Sequence, residues 1–208
     1  MFPTTTASIT DVSSALAQSK VNQNVSTGAK AFIRFDLKTG EFSFGRDNED
    51  ITESEIVVNT TSFCHGWVLW VNGTPSKVMR SFVENLPDPM PNSPTGDSPS
   101  EARGFEARFA DDPETVLMFE TSSYGGRKGC DTLLNQIRAR SAGGETEYLF
   151  PVVKLESESY RSKQGSKIHN PLFTVVGWVN QAGDRQNVAK QIEEQVEEPV
   201  VRRRRNAQ

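Results

Sequence analysis

The segment HGWVLWV, residues 65–71, carries the strongest strand signal in the chain. When this stretch is extended, apolar residues occupy both of its faces, which is typical of a strand in the middle of a sheet. The dipeptide Asn72-Gly73 follows directly and favours a two-residue hairpin turn. We therefore predict a central strand here, with residues 76–80 as its antiparallel partner.

Short apolar runs with a period of two lie on both sides of this hairpin. Ile33 and Phe35, for example, alternate with Arg34 and Asp36, a pattern that predicts a half-buried strand. The proline-rich stretch 85–103 is predicted to be a loop. Further strands are predicted at residues 31–37, 41–45, 55–59, 104–110, 115–120, 147–155 and 172–180.

One segment of the predicted core has the period of a helix instead. In residues 130–141 the two leucines and the isoleucine fall on one helical face. Asp131, or the glycines before it, can cap the N-terminus, and Gly143-Gly144 ends the pattern. This is the one helix predicted for the core.

Many short strands with a single late helix predict a mainly β protein of the α+β kind. Two architectures accommodate these elements: an OB-like barrel, of the oligonucleotide/oligosaccharide-binding type, or a small β-sandwich. Residues 29–180 are expected to form a single β-rich domain between a flexible N-terminal arm (1–28) and a flexible charged C-terminal tail (181–208). Both termini are expected to be disordered, apart from short helical segments at 11–20 and 190–198.

The charge of the chain is unevenly distributed. The 208 residues have a formal net charge of −4 and a pI near 5.3, which argues against a protein that is basic overall. Residues 121–170, however, carry eight Lys and Arg against five Asp and Glu. A locally basic region of this kind suits a polyanionic partner, and a scatter of solvated charges is the alternative.

No segment approaches the roughly 18 consecutive apolar residues that a membrane-spanning helix needs. The N-terminus also has neither the basic nor the apolar region of a signal peptide. We therefore expect a cytoplasmic protein with no membrane partner.

The residue types that usually carry catalysis are few. There are two histidines and two cysteines, and Cys64 and His65 are neighbours that would point to opposite faces of a strand. No CxxC, HxH or HExxH spacing indicates a metal site. We expect a protein that is not an enzyme, with reduced thiols and with no catalytic residue, metal, cofactor or small-molecule substrate.

Two basic segments suit contact with a nucleic acid. Residues 121–129 are rich in glycine and precede the predicted helix, where free N–H groups attract phosphate, and Arg127 and Lys128 add positive charge. The second is a loop predicted at residues 156–170, where cations would follow phosphates while Tyr160 stacks on a base. The alternatives are a plain strand-to-helix turn and an ordinary long β-hairpin with a solvated loop.

Exposed aromatic side chains complete this hypothesis. Trp67 and Trp70 are three residues apart and therefore face opposite sides of a strand, so that one of them can be exposed. The residues predicted to bind single-stranded nucleic acid are Arg127, Lys128, Lys154, Tyr160, Arg161, Lys163, Lys167, Tyr124 and Trp70.

Three groups of residues carry a resemblance to a protein family. They are the Phe63-x-x-Gly66-Trp67-x-x-Trp70 segment, the Thr121-Ser122-Ser123 step into the helix, and the ending PVVxL…Y…G…PxFxVVGW at residues 151–178. Over about residues 30–180 the chain resembles small bacteriophage-encoded proteins of the replication and recombination region, some of which are thought to bind single-stranded DNA. The resemblance implies a non-catalytic single-stranded DNA-binding protein that supports phage-type replication or recombination in the cytoplasm of a bacterial host.

A structural role is the alternative function. In that case the protein is a virion component, an assembly factor or a homo-oligomer whose β-rich core presents a surface to other copies. The run Arg202–Arg205 follows a group of glutamates in the tail. It can contact phosphates nonspecifically, serve as a localisation-type basic patch or simply be solvated.

Overall fold

A computed structural model of the chain describes residues 30–162 and 165–186. The described part holds ten strands and one helix. No helix in it combines the length and the apolar character that a membrane crossing requires. In chain order the elements are β1 (Ala31–Phe35), β2 (Phe42–Phe44), β3 (Glu49–Asp50), β4 (Glu55–Val58), β5 (Cys64–Val71), β6 (Thr74–Ser81), β7 (Ser100–Phe109), β8 (Val116–Thr121), α1 (Tyr124–Ala142), β9 (Phe150–Arg161) and β10 (Lys167–Val179).

The strands form one sheet in the order β10-β9-β4-β7-β8-β1-β2-β3, and β5 and β6 extend from β7. The pairing of β1 with β8 is parallel, and the other described pairings are antiparallel. The prediction of a mainly β, α+β fold with one core helix is confirmed.

The sheet is not closed into a barrel, so the OB-like alternative is wrong and the fold is closer to a sandwich. The sheet curves until the turn after β1 reaches β10, where the His169 N–H donates to the Leu37 carbonyl at 2.9 Å. This is a single hydrogen bond without a strand ladder beside it. A closed barrel needs a continuous ladder around its whole circumference.

Four phenylalanine rings form the centre of the core. Phe42, Phe105, Phe119 and Phe173 come from β2, β7, β8 and β10, and their ring centroids lie 5.2–6.5 Å apart in tilted and edge-to-face pairs. α1 covers this cluster with its buried face, as the leucine and isoleucine spacing predicted. Strands that are distant in the sheet order are thereby held against one another and against the helix.

The helix begins six residues earlier than predicted, at Tyr124 instead of residue 130. Ser123 is the N-cap, and its hydroxyl accepts a hydrogen bond from the Gly126 N–H at 3.1 Å. The glycines that looked like a loop lie inside the first two turns of the helix. A Cβ at Gly125 would overlap the Asn170 side chain, so this glycine allows the helix to approach β10 closely.

The loop predicted at residues 156–170 is also wrong, because most of it is strand. β9 runs on to Arg161 and β10 starts at Lys167, with Arg161 directly opposite Lys167. The alternative of a long β-hairpin is the one observed. Backbone hydrogen bonds extend these strands beyond the apolar core, and polar side chains do not prevent that pairing. For the same reason β7 starts at Ser100, inside the stretch predicted as loop.

The hairpin predicted around Asn72-Gly73 is confirmed. β5 pairs with β6 on one side and β7 on the other, and Asn72 and Gly73 turn the chain with φ of +50° and +78°. Two positive φ angles match the type I′ turn that suits the twist of a hairpin.

The predicted arm at 1–28 lies outside the described residues, and so does the predicted tail at 181–208 from residue 187 onward. The short helical segments at 11–20 and 190–198 also lie outside them. Residues 181–186 turn back on β10, where the Gln186 N–H donates to the Trp178 carbonyl at 2.9 Å.

Gly66 offers a test of how tightly β5 and β6 approach each other. A Cβ there would overlap the carbonyl oxygen of Val78, a backbone atom that cannot move aside without shifting β6. We expect Gly66→Ala to lower the free energy of unfolding by about 3 kcal/mol in urea denaturation followed by tryptophan fluorescence.

The matched control is Gly177→Ala, also in a strand. A Cβ at Gly177 would lie 3.8 Å from Val152, an ordinary contact distance, so stability should change by less than about 1 kcal/mol. Equal effects of the two substitutions would show that β5 and β6 are not held this closely.

Candidate nucleic-acid interface

The first turns of α1 form the most exposed part of the candidate interface. Tyr124 is 77% exposed and Lys128 is exposed as well. Gly125 rests against Asn170 of β10. The start of the helix therefore presents an aromatic ring and an ammonium group beside the edge of the β9–β10 hairpin.

A groove of about 300 Å³ lies between α1 and β10. Lys128, Thr132 and Gln136 line it from successive turns of the helix, and Glu158 and Asn170 line it from the hairpin. The lining combines one cation, one carboxylate and several hydrogen-bonding groups. Such a groove is suited to a polar, extended ligand.

The end of the β9–β10 hairpin carries two further cations. The last four residues of β9 are exposed, so the hairpin continues past the core. Arg161 and Lys167 face each other across the two strands, and cross-strand partners lie on the same face of a sheet. Within residues 30–162 and 165–186, neither cation forms a salt bridge.

Tyr160 is 47% exposed and is paired with Ile168. Because side chains alternate along a strand, its ring lies on the opposite face of the hairpin from Arg161 and Lys167. The structure therefore places these three residues at the same end of the hairpin, but on two different faces of it. Lys163 lies outside the described residues.

Two predicted phosphate contacts already have carboxylate partners. The Arg127 guanidinium lies 2.5 Å from Glu101 of β7. Lys154 forms ion pairs with Glu53 and, at 3.3 Å, with Glu156, and these hydrogen bonds raise the pKa of the Lys154 ammonium. The positive charge of both residues is compensated inside the protein, which leaves them less suited to a phosphate.

The three tryptophans differ in their surroundings. Trp70 is 54% exposed, whereas the Trp67 indole N–H donates to the Pro87 carbonyl at 2.7 Å. The Trp178 ring lies 4.4 Å from the Arg140 guanidinium. Trp70 is thus the exposed member of the pair, as required for stacking, but it does not line the groove beside α1.

The cysteines and histidines are built into the fold. Burial raises the pKa of the Cys64 thiol to about 12 and also raises that of the Cys130 thiol, so neither is a ready nucleophile near neutral pH. Burial also lowers the pKa of His65, whose ring lies 4.7 Å from that of Phe82. The described residues hold no group of three side chains that suits a metal ion.

The groove beside α1 was missed in the sequence, although one signal was present. Gly125 and Gly129 are four residues apart, so they share a helical face, and Cβ atoms there would crowd Asn170 and Pro171 of β10. This spacing in a basic segment is a sign of a helix lying close against another element.

Known proteins give no guide to the function of this chain. No protein-family model, no curated protein and no solved structure matches it. The function therefore has to be argued from the residues and their arrangement.

Both cysteines are free, and their burial should slow the reaction of their thiols in the folded protein. Because the pKa of Cys64 lies far above pH 8, its thiol stays protonated there, and Cys130 is buried. We expect the native protein to react with Ellman's reagent at least about tenfold more slowly than the urea-unfolded chain, in which thiols have ordinary pKa values. Fast reaction of one thiol in the native state would contradict this account of Cys64.

Proposed function

We propose that this chain is a non-catalytic single-stranded DNA-binding protein that supports phage-type replication or recombination. The observation that carries the proposal is the exposed pair Arg161 and Lys167 at the end of a projecting hairpin, without carboxylate partners among the described residues. The resemblance of residues 30–180 to phage replication and recombination proteins supports the same class of ligand.

The proposed path of the strand follows the hairpin and then the helix. Phosphates contact Arg161 and Lys167 first, and the chain then turns around the hairpin edge to Asn170, which shares the face of Tyr160, before it reaches Lys128 and Tyr124. The latter two sit at the groove and at the start of α1. Amide and hydroxyl groups along the groove are positioned for bases and sugars, and exposed tyrosine rings provide stacking surfaces.

A single strand suits this surface better than a duplex does. The groove is small, at about 300 Å³, and uncompensated cations are few among the described residues. A flexible strand can also turn around the hairpin edge, which would let a base reach Tyr160 on the opposite face from the two cations. A rigid duplex cannot make that turn.

A structural or assembly role is the second candidate, and a different surface favours it. Phe32 and Trp70 are 46% and 54% exposed, and the Lys77 ammonium lies 5.3 Å from the centroid of the Phe32 ring. Lys77 shares a face of β6 with Pro75, the partner of Trp70, so these side chains line one side of the sheet. Exposed apolar side chains grouped in this way are typical of contacts between proteins.

Removing the two hairpin cations tests the first proposal. We expect Arg161→Gln/Lys167→Gln to weaken binding of a fluorescein-labelled oligothymidine about tenfold. The slope of log K against log salt should shrink by roughly 1.4, because two phosphate contacts on a single strand are lost. Fluorescence anisotropy over a salt series gives both quantities.

The matched control removes two exposed cations elsewhere, with Arg46→Gln/Arg80→Gln, and should leave the slope unchanged. Equal effects of the two double variants would mean that net charge alone governs binding. If the unmodified protein fails to bind oligothymidine even at low salt and elutes as a large assembly from a sizing column, the structural role replaces the first proposal.

Tyr160 provides a test of stacking that is independent of charge. Tyr160→Ala removes a ring worth about 1–3 kcal/mol of binding per stacked base, so the dissociation constant should rise by about fivefold to 150-fold. Tyr160→Phe keeps the ring and should bind within about twofold of the unmodified chain. A loss as large in the phenylalanine variant would assign the effect to the hydroxyl group and not to stacking.

A further inference from the structure

A second groove, of about 560 Å³, lies away from the candidate nucleic-acid interface. Its apolar lining includes Phe44, Ile51 and Phe109, and the rings of Phe44 and Phe109 meet edge-to-face with centroids 5.0 Å apart. The turn between β7 and β8 and the start of β4 form its sides. We call it the acidic groove, because carboxylate side chains surround this apolar lining.

Five carboxylates and a single guanidinium line the acidic groove. Hydrogen bonds from Thr52 lower the pKa of Asp50, and the Thr115 hydroxyl lowers that of Asp112, so both are charged at neutral pH. The side chains of Glu49 and Asp111 have no hydrogen bond or ion pair within the described part of the chain. Four carboxylates are therefore left without a cationic partner there: Glu49, Asp50, Asp111 and Asp112.

The fifth carboxylate shows what kind of group this groove accepts. Glu55 is paired with the guanidinium of Arg185 at 2.5 Å, so one arginine of the chain already sits at its edge. Next to Arg185, the side-chain amide of Gln186 accepts a hydrogen bond from Arg140 at 2.5 Å and donates one to Glu145 at 3.2 Å. These two hydrogen bonds hold Gln186 in place. The described chain thus ends at the rim of the acidic groove in an anchored position.

The sequence beyond this anchor contains a matching group of charges. Residues 187–201 separate Gln186 from Arg202–Arg205. Fifteen residues extend at most roughly 50 Å, ample for the arginine run to return to the rim from which the segment departs. Its four guanidinium groups equal in number the four carboxylates that Arg185 leaves without a partner.

We propose that the acidic groove is the docking site for Arg202–Arg205 of the same chain. Guanidinium groups bind carboxylates through paired hydrogen bonds and stack on aromatic rings, and the groove offers both kinds of partner. Attachment by a short linker gives an effective concentration in the millimolar range, so modest contacts suffice. The docked run is withheld from other polyanions, whatever ligand the hairpin end binds.

Paramagnetic relaxation in the full-length protein tests this proposal. A nitroxide attached at Gln208→Cys should broaden the backbone amide signals of Glu49, Asp111 and Asp112 at about 0.05 M salt. The broadening should largely disappear at about 0.5 M salt, where the ion pairs are screened. The same chain labelled without the added cysteine controls for reaction at Cys64 and Cys130.

Two sets of substitutions remove either partner, and a third is the control. Replacing the four arginines of the run with neutral residues should abolish the broadening, and so should replacing the four groove carboxylates. Replacing four carboxylates elsewhere on the surface should leave it intact. Retained amide dispersion establishes that each variant is folded, and the arginine set alone suffices if the groove set does not fold. The sets are R202Q/R203Q/R204Q/R205Q, E49Q/D50N/D111N/D112N and E41Q/E84Q/D88N/E147Q.

Three results would overturn the proposal. One is the absence of broadening at the groove amides at low salt. Another is broadening that survives both neutralised sets. The third is broadening of an isotope-labelled chain by the nitroxide on a second, unlabelled chain, which would make the occupant another copy. None of these results depends on nucleic acid, so failure here leaves the proposed DNA-binding function to its own tests.

Discussion

The contact between Phe42 and Phe173 is the interaction on which the rest of the structure depends. Their rings lie 6.1 Å apart and join β2, near one end of the sheet order, to β10 at the other end. Phe105 and Phe119 complete the cluster beneath α1. Loss of a buried phenylalanine ring costs about 3–5 kcal/mol, a large share of the stability of an ordinary domain. Without it, neither the hairpin nor the groove beside α1 keeps its place.

Ion pairing divides the basic residues of the second half into two groups. Arg127 ties α1 to β7 through Glu101, and Lys154 ties β9 to Glu53 in the turn before β4, so both residues serve the fold. Arg161 and Lys167 lie past the core, where strand pairing continues and none of the described carboxylates forms an ion pair with them. An acidic protein can in this way keep a small cationic surface, because the compensation is local.

Much of the fold could be predicted from the sequence because alternation and turn dipeptides are local signals. The β5–β6 hairpin was predicted from HGWVLWV and Asn72-Gly73 alone. The start of α1 was not, because Gly125 and Gly129 are required by the close approach of the helix to Asn170 and Pro171 of β10, contacts that are distant in sequence. The polar end of β9 was missed because backbone pairing leaves no pattern in side chains. Which cations were compensated, and which tryptophan was exposed, also depended on tertiary neighbours.

The parallel pairing of β1 with β8 has a consequence for how the molecule is assembled. Ala31–Ile33 align with Leu117–Phe119, so this ladder must wait until a long intervening loop has been closed. Chains dominated by such distant pairings fold slowly, in milliseconds to seconds. During synthesis the β1–β2 hairpin is complete long before β8 leaves the ribosome, and its apolar face has no partner in the interval. Early interruption of translation would therefore produce a fragment with an aggregation-prone surface rather than a smaller folded unit.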